Sequence, residues 1–175
     1  QNASQYMDVF SVEFRKIQQD MWDYTSSVSH GKSAKKVDKR RLELIQTSDA
    51  AYQKAKSQKG FNNSTRYRDS IVAYFKINNL VLREDYAKLV DMEAVAEESY
   101  DAMEAYLMMR DLVNKKIDEE NDKAELAFKE FALKYNITIT NQESELSKKI
   151  AISGKVFDYH TALYLIFFKT NITDL

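Results

Sequence analysis

Phe10, Phe14, Ile17, Met21, Tyr24 and Val28 recur in alternating steps of four and three. That spacing lays apolar side chains along one stripe of an α-helix, which then faces partner helices. The pattern predicts a helix from about Ala3 to Val28. It stops before Ser29-His30-Gly31, where Gly31 can supply a left-handed C-terminal cap. Ser33 can cap a second helix that runs to about Gln58 and stops ahead of Gly60. Its stripe, Val37, Leu44, Ile45, Ala51, Tyr52 and Ala55, is weaker, and its small residues predict close helix approach. Phe61-Asn62-Asn63-Ser64 reads as a turn.

No glycine or proline interrupts the chain from Thr65 to about Tyr135. One helix of that length would reach ~105 Å at 1.5 Å per residue, too long for a compact domain of this size. A break is therefore expected between Lys88 and Ala94, with Asp91 as N-cap and Glu93 adding negative charge to the first turn. On this reading the third helix presents Ile71, Phe75, Asn78, Leu82, Tyr86 and Leu89. The fourth presents Val95, Met103, Tyr106, Met109, Val113, Ile117, Ala124, Phe128 and Phe131. It is longer than the others, so it bends or projects beyond the bundle. Asn136-Ile-Thr-Ile-Thr alternates as a short extended link would. Thr140 with Glu143 forms a capping box. It opens a last helix bearing Leu146, Ile150, Phe157, His160, Tyr164 and Phe167, with Val156, Leu163 and Ile166 on a second stripe. Apolar on two faces, this helix is expected to be the most buried. The sum is an all-α, elongated up-and-down bundle of about five helices, one domain over residues 1–175.

Composition agrees: the chain has no proline, no cysteine and three glycines, with charged residues at 30% and aromatic ones at 12%. So much Tyr and Phe argues against disorder. No apolar run approaches the ~18 residues of a membrane span; Ala162 to Phe168 reads as buried helix. Without cysteine there is no disulfide, thiolate nucleophile or cysteine metal site. A ferritin-like di-metal site needs Glu-x-x-His pairs, and neither His30 nor His160 has Glu three residues earlier. No zinc-protease, phosphate-loop or nucleophile-elbow motif is present. The adjacent carboxylates Glu97/Glu98 and Glu119/Glu120 diverge on a helix and read as solvated. No catalytic residue, metal or cofactor is expected.

Charge is uneven. Residues 1–82 hold 14 Lys and Arg against 8 Asp and Glu, while residues 83–175 hold 12 against 19. Antiparallel helices from the two halves could neutralise each other; alternatively the molecule has one basic end. The basic run contains Lys32, Lys35, Lys36, Lys39, Arg40 and Arg41, and is either a solvated helix start or a partner-facing surface. No aromatic interleaves it, so nucleic acid is not the expected partner. Trp22 packs at the core edge or anchors an interface. His160 reads as a core histidine and Asn78 as a buried polar group that fixes helix register.

The stretches from Met7-Asp-Val-Phe-Ser-Val-Glu-Phe through Asp20-Met-Trp-Asp-Tyr-Thr, then Val28-Ser-His-Gly-Lys-Ser, Tyr67-Arg-Asp-Ser-Ile-Val and Leu82-Arg-Glu-Asp-Tyr-Ala-Lys, carry a resemblance. They resemble an uncharacterised family of helical, lipoprotein-like surface proteins of flavobacteria and other Bacteroidetes, with relatives in spirochaetes. The resemblance spans most of the chain and implies export to the periplasm or cell surface; it carries no catalytic residue. It also implies that the last helix continues past Leu175. Gln1 in place of Met points towards a processed start, while no lipobox cysteine is present, so membrane association would run through a partner or an unseen anchor. In such bacteria Asp69-Ser70-Ile71 matches a short O-glycan attachment pattern, making Ser70 a candidate. Asn2, Asn63, Asn136 and Asn171 begin N-glycan acceptor triplets, informative only in a secreted eukaryotic setting. The reading is a non-enzymatic exported bundle that binds a protein partner as an accessory subunit of the envelope. The alternatives are a bundle holding a small or lipidic ligand between helices and a cytosolic coiled-coil adaptor.

Overall fold

A computed structural model of the chain describes residues 2–96, 98–139, 145–146, 148–155, 158 and 162–163. Five α-helices are built from them: α1 Ala3–Ser29, α2 Ala34–Ser57, α3 Arg66–Leu80, α4 Tyr86–Ala96 and α5 Tyr100–Lys134. A π-helical turn, Val81–Asp85, joins α3 to α4. Among the described residues the only strand-like pairing is the isolated bridge between Phe61 and Ser64. The expected all-α bundle is what forms.

The helix ends follow from local chemistry. Asn2 accepts from the Gln5 amide at 2.8 Å while the Gln5 side chain accepts from the Asn2 amide at 3.0 Å, a reciprocal capping box. At the other end of α1, Gly31 takes φ +57°. The Gly31 and Lys32 amides donate back to the carbonyls of Val28 and Ser27, a Schellman cap. Asn136, at φ +53°, does the same after α5: its amide and that of Ile137 donate to Leu133 and Ala132. The expected extended link thus begins as a helix cap. Ser33 occupies the N-cap position of α2, but its side chain makes no capping hydrogen bond. Asn62 and Asn63 both take positive φ in the expected turn. Gly60 keeps that turn tight rather than acting as a left-handed stop, since a Cβ there would lie 2.7 Å from the Ser64 carbonyl oxygen.

The break expected at Asp91 is not there. The helical path runs from α3 through the π-turn to Ala96, and α5 starts at Tyr100 behind the N-cap Ser99, whose hydroxyl accepts from the Ala102 amide at 3.1 Å. Leu89 and Ala96, seven residues apart, are both buried on one face of α4. A break at Asp91 would have discarded that face, whereas Ser99 caps without cost to the packing. Val95 consequently points out of the core.

Helix α1 packs on α2, α2 on α3, α3 on α5, and α4 on α5. One cluster joins α1, α2, α3 and the C-terminal half of α5 around Phe10, Leu44, Ile71, Phe75 and Phe131. As expected, α2 contributes small residues, with Ser48, Ala51 and Ala55 fully buried. A second cluster holds Val81, Leu89, Ala96, Met103, Tyr106 and Val113, from the π-turn, α4 and the N-terminal half of α5. The long α5 therefore serves both.

Residues 145–146, 148–155, 158 and 162–163 are helical. Their described members do not form the most buried element: Leu146 and Ile150 are half-buried, while Ile152 and Leu163 are exposed. Two charged flanks explain part of this, because Lys148, Lys149 and Lys155 keep one side in water. Thr140, Glu143, Val156, Phe157, His160, Tyr164, Ile166 and Phe167 lie outside the described residues.

Candidate functional site

The reversal between α1 and α2 is shaped by the Gly31 cap, and it presents the basic run at one end of the molecule. Lys32, Lys35, Lys36 and Lys39 are exposed, while Arg40 and Arg41 are half-buried. Arg40 donates to Glu43 at 2.8 Å and lies 4.0 Å from Asp23; Arg41 donates to Asp38 at 2.9 Å; Lys39 lies 3.7 Å from Glu43. The pairs are local, so the two arginines stitch α2 to itself and to α1. Lys32, Lys35 and Lys36 form no ion pair among the described residues. The six basic residues singled out in the sequence thus separate into a paired set and an open set. Trp22 is half-buried on α1.

Neutralisation between the two halves of the chain is slight. Among the described residues one first-half cation reaches a second-half carboxylate, Arg66 to Glu130 at 2.8 Å, and both are substantially exposed.

Asn78 is buried, as its place on the α3 stripe required. Its Nδ2 donates to the Tyr74 hydroxyl at 3.4 Å, and its Oδ1 has no partner. Ser70 is half-buried in α3, and its neighbour Ile71 is in the core.

Two buried carboxylates were not singled out in the sequence. Glu13 accepts from Lys54 at 2.6 Å and from Lys16 at 3.0 Å. Burial alone would raise its pKa, but the hydrogen bonds and charges of the two lysines outweigh it and hold the carboxyl below its ordinary value. Asp85, in the π-turn, accepts from Lys116 of α5 at 2.9 Å. Both follow a core residue by three positions, Phe10 and Leu82, so helical phase was the available signal. Three tyrosines gather where the two clusters meet. Tyr24 and Tyr86 stack edge to face at 6.2 Å, and burial pushes the hydroxyls of Tyr24 and Tyr106 up to about 12.

Between α1 and α5 the bundle is open. The helices touch at one end, where Tyr6 stacks on Phe131 at 5.7 Å. Further along they part over a groove of about 280 Å³ lined by Phe14, Tyr67, Ile71, Ala124, Glu125 and Phe128, with Ser11, Gln18 and Asn121 at its rim. Tyr67 is 5% exposed and its hydroxyl makes no hydrogen bond among the described residues. The same side chain lines a second depression of about 240 Å³ beside Arg66 and Lys134. Burial raises the Tyr67 hydroxyl pKa, and the negative charge of nearby Asp8 adds to the effect. Among the described residues no three His, Cys, Asp or Glu side chains converge as metal ligands would, and no helix is long and apolar enough to cross a membrane.

Comparison of the chain with protein-family models, with curated proteins and with solved structures finds no match in any of the three.

Proposed function

We propose that this chain is a non-enzymatic binding subunit of the bacterial cell envelope that docks against an acidic protein surface through the α1–α2 end. The observation that carries the reading is the open set of cations. Lys32, Lys35 and Lys36 stand in water at the start of α2 with no carboxylate of their own among the described residues. Cations at a helix N-terminus are opposed by the helix dipole, by roughly 0.3–1 kcal/mol each near the end. Local helix stability therefore gives no reason for Lys35 and Lys36, and neutralisation by the acidic half does not reach them. A complementary partner surface does give a reason, chiefly through faster and more selective association. The envelope placement follows the resemblance carried by residues 7–14, 20–25, 28–33, 67–72 and 82–88. N-terminal sequencing of the native protein from fractionated cells checks it.

The test of the interface is charge reversal of Lys32, Lys35 and Lys36 to Glu, leaving the locally paired Arg40 and Arg41 in place. Binding to the solubilised native envelope fraction should be lost at an unchanged melting temperature. Retained binding overturns the reading, whatever the melting temperature does.

A further inference from the structure

We propose that the acidic surface met by the α1–α2 end is the α4–α5 end of a second copy of this chain, so that two copies close into a two-fold dimer. The dimer rests on the docking reading of the open lysines and gives their partner one identity.

The acidic counterpart lies in the chain itself. From Leu89 to Met109 there is no lysine or arginine, against six carboxylates. Asp91, Glu93, Glu98, Asp101 and Glu104 are exposed, and none forms an ion pair among the described residues. Glu98 and Asp101 suit the N-terminus of α5. Glu93 does not suit its own helix, because it lies in the last turn of α4, where the dipole opposes an anion. Lys35 and Lys36 are opposed in the same way at the start of α2. Each set thus runs against its local helix, and each is the charge complement of the other.

The two sets share one end of the molecule. Burial is the first cause of the raised Tyr24 hydroxyl, followed by Tyr86 and Glu93, while the Arg41 charge opposes them. One tyrosine therefore feels α2 and α4 together, and its ring lies 6.2 Å from that of Tyr86 at the start of α4. Among the described residues no ion pair joins the two sets within the chain. Exposed apolar side chains lie one turn from these charges: Leu42 after Lys39, Val95 after Asp91 and Met108 after Glu104. Apolar groups rimmed by charge are the make-up of a protein–protein interface. Placement also fixes the symmetry. Complementary patches at opposite ends would link copies into an open chain. Side by side at one end, they meet reciprocally about a two-fold axis and every contact is made twice.

The experiment is sedimentation velocity on the purified intact chain over a concentration series. The wild type should pass from monomer to dimer and no further, and raising salt from about 50 to about 500 mM should weaken the dimer at least about tenfold. The triple change Lys32→Glu, Lys35→Glu and Lys36→Glu should give a monomer, and so should Asp91→Lys, Glu93→Lys and Glu104→Lys. Lys35→Glu, Lys36→Glu and Glu93→Lys agree with their own helix dipoles better than the native residues do. At a dilution where the wild type is monomeric too, neither variant should melt earlier. Mixing the two variants in equal amounts should restore a dimer, because both reciprocal contacts are then complementary again. The proposal is overturned by a wild type that stays monomeric, by assemblies that keep growing with concentration, by a dimer that survives either reversal, or by a mixture that stays monomeric. A monomeric wild type whose lysine reversal still removes envelope binding overturns the second copy and leaves docking on another acidic protein standing. A monomeric wild type whose lysine reversal retains envelope binding overturns both.

Discussion

The two ends of α5 sit in different environments. Its C-terminal half closes a cluster fed by three other helices, in which Tyr6, Phe10, Tyr67 and Phe131 lie within 4.8–6.3 Å of one another in successive ring contacts. Its N-terminal half packs on α4 and the π-turn over a cluster of six mainly aliphatic side chains, with Ile77 of α3 at its edge, and Arg110 pairs with Asp158 of the C-terminal segment. Apolar side chains of this region remain in water: Val90, Val95, Met108 and Leu112 are all exposed. The difference teaches where the stability of this molecule resides. Aromatic rings from α1, α3 and α5 interlock in the first region, whereas the second shares α5 with the first. Local opening should therefore begin at α4.

The sharpest way to break this comparison is a matched pair of core truncations. Phe75 and Val113 are both fully buried. Phe75→Ala should cost about 3–5 kcal/mol in urea unfolding and remove protection throughout the chain. Val113→Ala should cost less and release amide protection first in α4 and the π-turn. Equal loss of protection in both regions under Val113→Ala would show a single cooperative unit instead.

Each region also holds one buried carboxylate, and their removal gives the next largest effect. Glu13→Gln, which loosens Lys54 and Lys16, should cost about 1.5–3 kcal/mol at neutral pH. The pH dependence has a definite sign. The folded pKa of Glu13 lies below its unfolded value, so its contribution is present above the unfolded pKa near 4.5 and is lost as pH falls through the folded pKa. Thermal melts should then show wild type and Glu13→Gln converging at acid pH. Asp85→Asn, probed in the same way, should destabilise α4 protection more than the rest of the chain.

At the seam between the regions the tyrosines report on alkaline stability. Tyr24 and Tyr106 are raised from 10.0 to about 12 in the folded chain. Their stabilising contribution is complete below pH 10 and falls away as pH rises towards 12, because the unfolded chain ionises them first. Ultraviolet titration should show a late tyrosinate step that coincides with loss of helical circular dichroism. Tyr106→Phe should delay that loss.

The smallest effect is expected at Asn78, with its unpartnered Oδ1. Replacing a poorly satisfied buried amide by an apolar group of similar size is close to neutral or stabilising. Asn78→Leu should leave the urea midpoint equal or higher while broadening NMR lines, if the amide holds α3 in register. Sharp lines in the variant would remove that role.

Much of this architecture was written in spacing and caps. The four-three stripe of α1, the glycine stop at Gly31 and the buried phase of Ile71, Phe75, Asn78 and Leu82 depend on neighbours within a turn or two, and such interactions are visible along the chain. The position of the α4–α5 break was not legible, because Asp91 and Ser99 are both competent caps and only the burial of Ala96 decides between them. The candidate surfaces divide in the same way. The basic run could be read directly, and the i,i+3 spacing of Arg40 to Glu43 and of Arg41 to Asp38 lay in the sequence too, whereas the approach of Asp23 from α1 to Arg40 did not.

What the sequence determined by itself was helix content, most helix ends and the absence of familiar catalytic motifs, all set by residues close together in the chain. What only the tertiary structure decided was which charges find partners, that α5 serves two unequal clusters, and that α1 and α5 stand apart over Tyr67. Those properties arise between residues dozens of positions apart, where the separation of two helices depends on side-chain volumes contributed by a third.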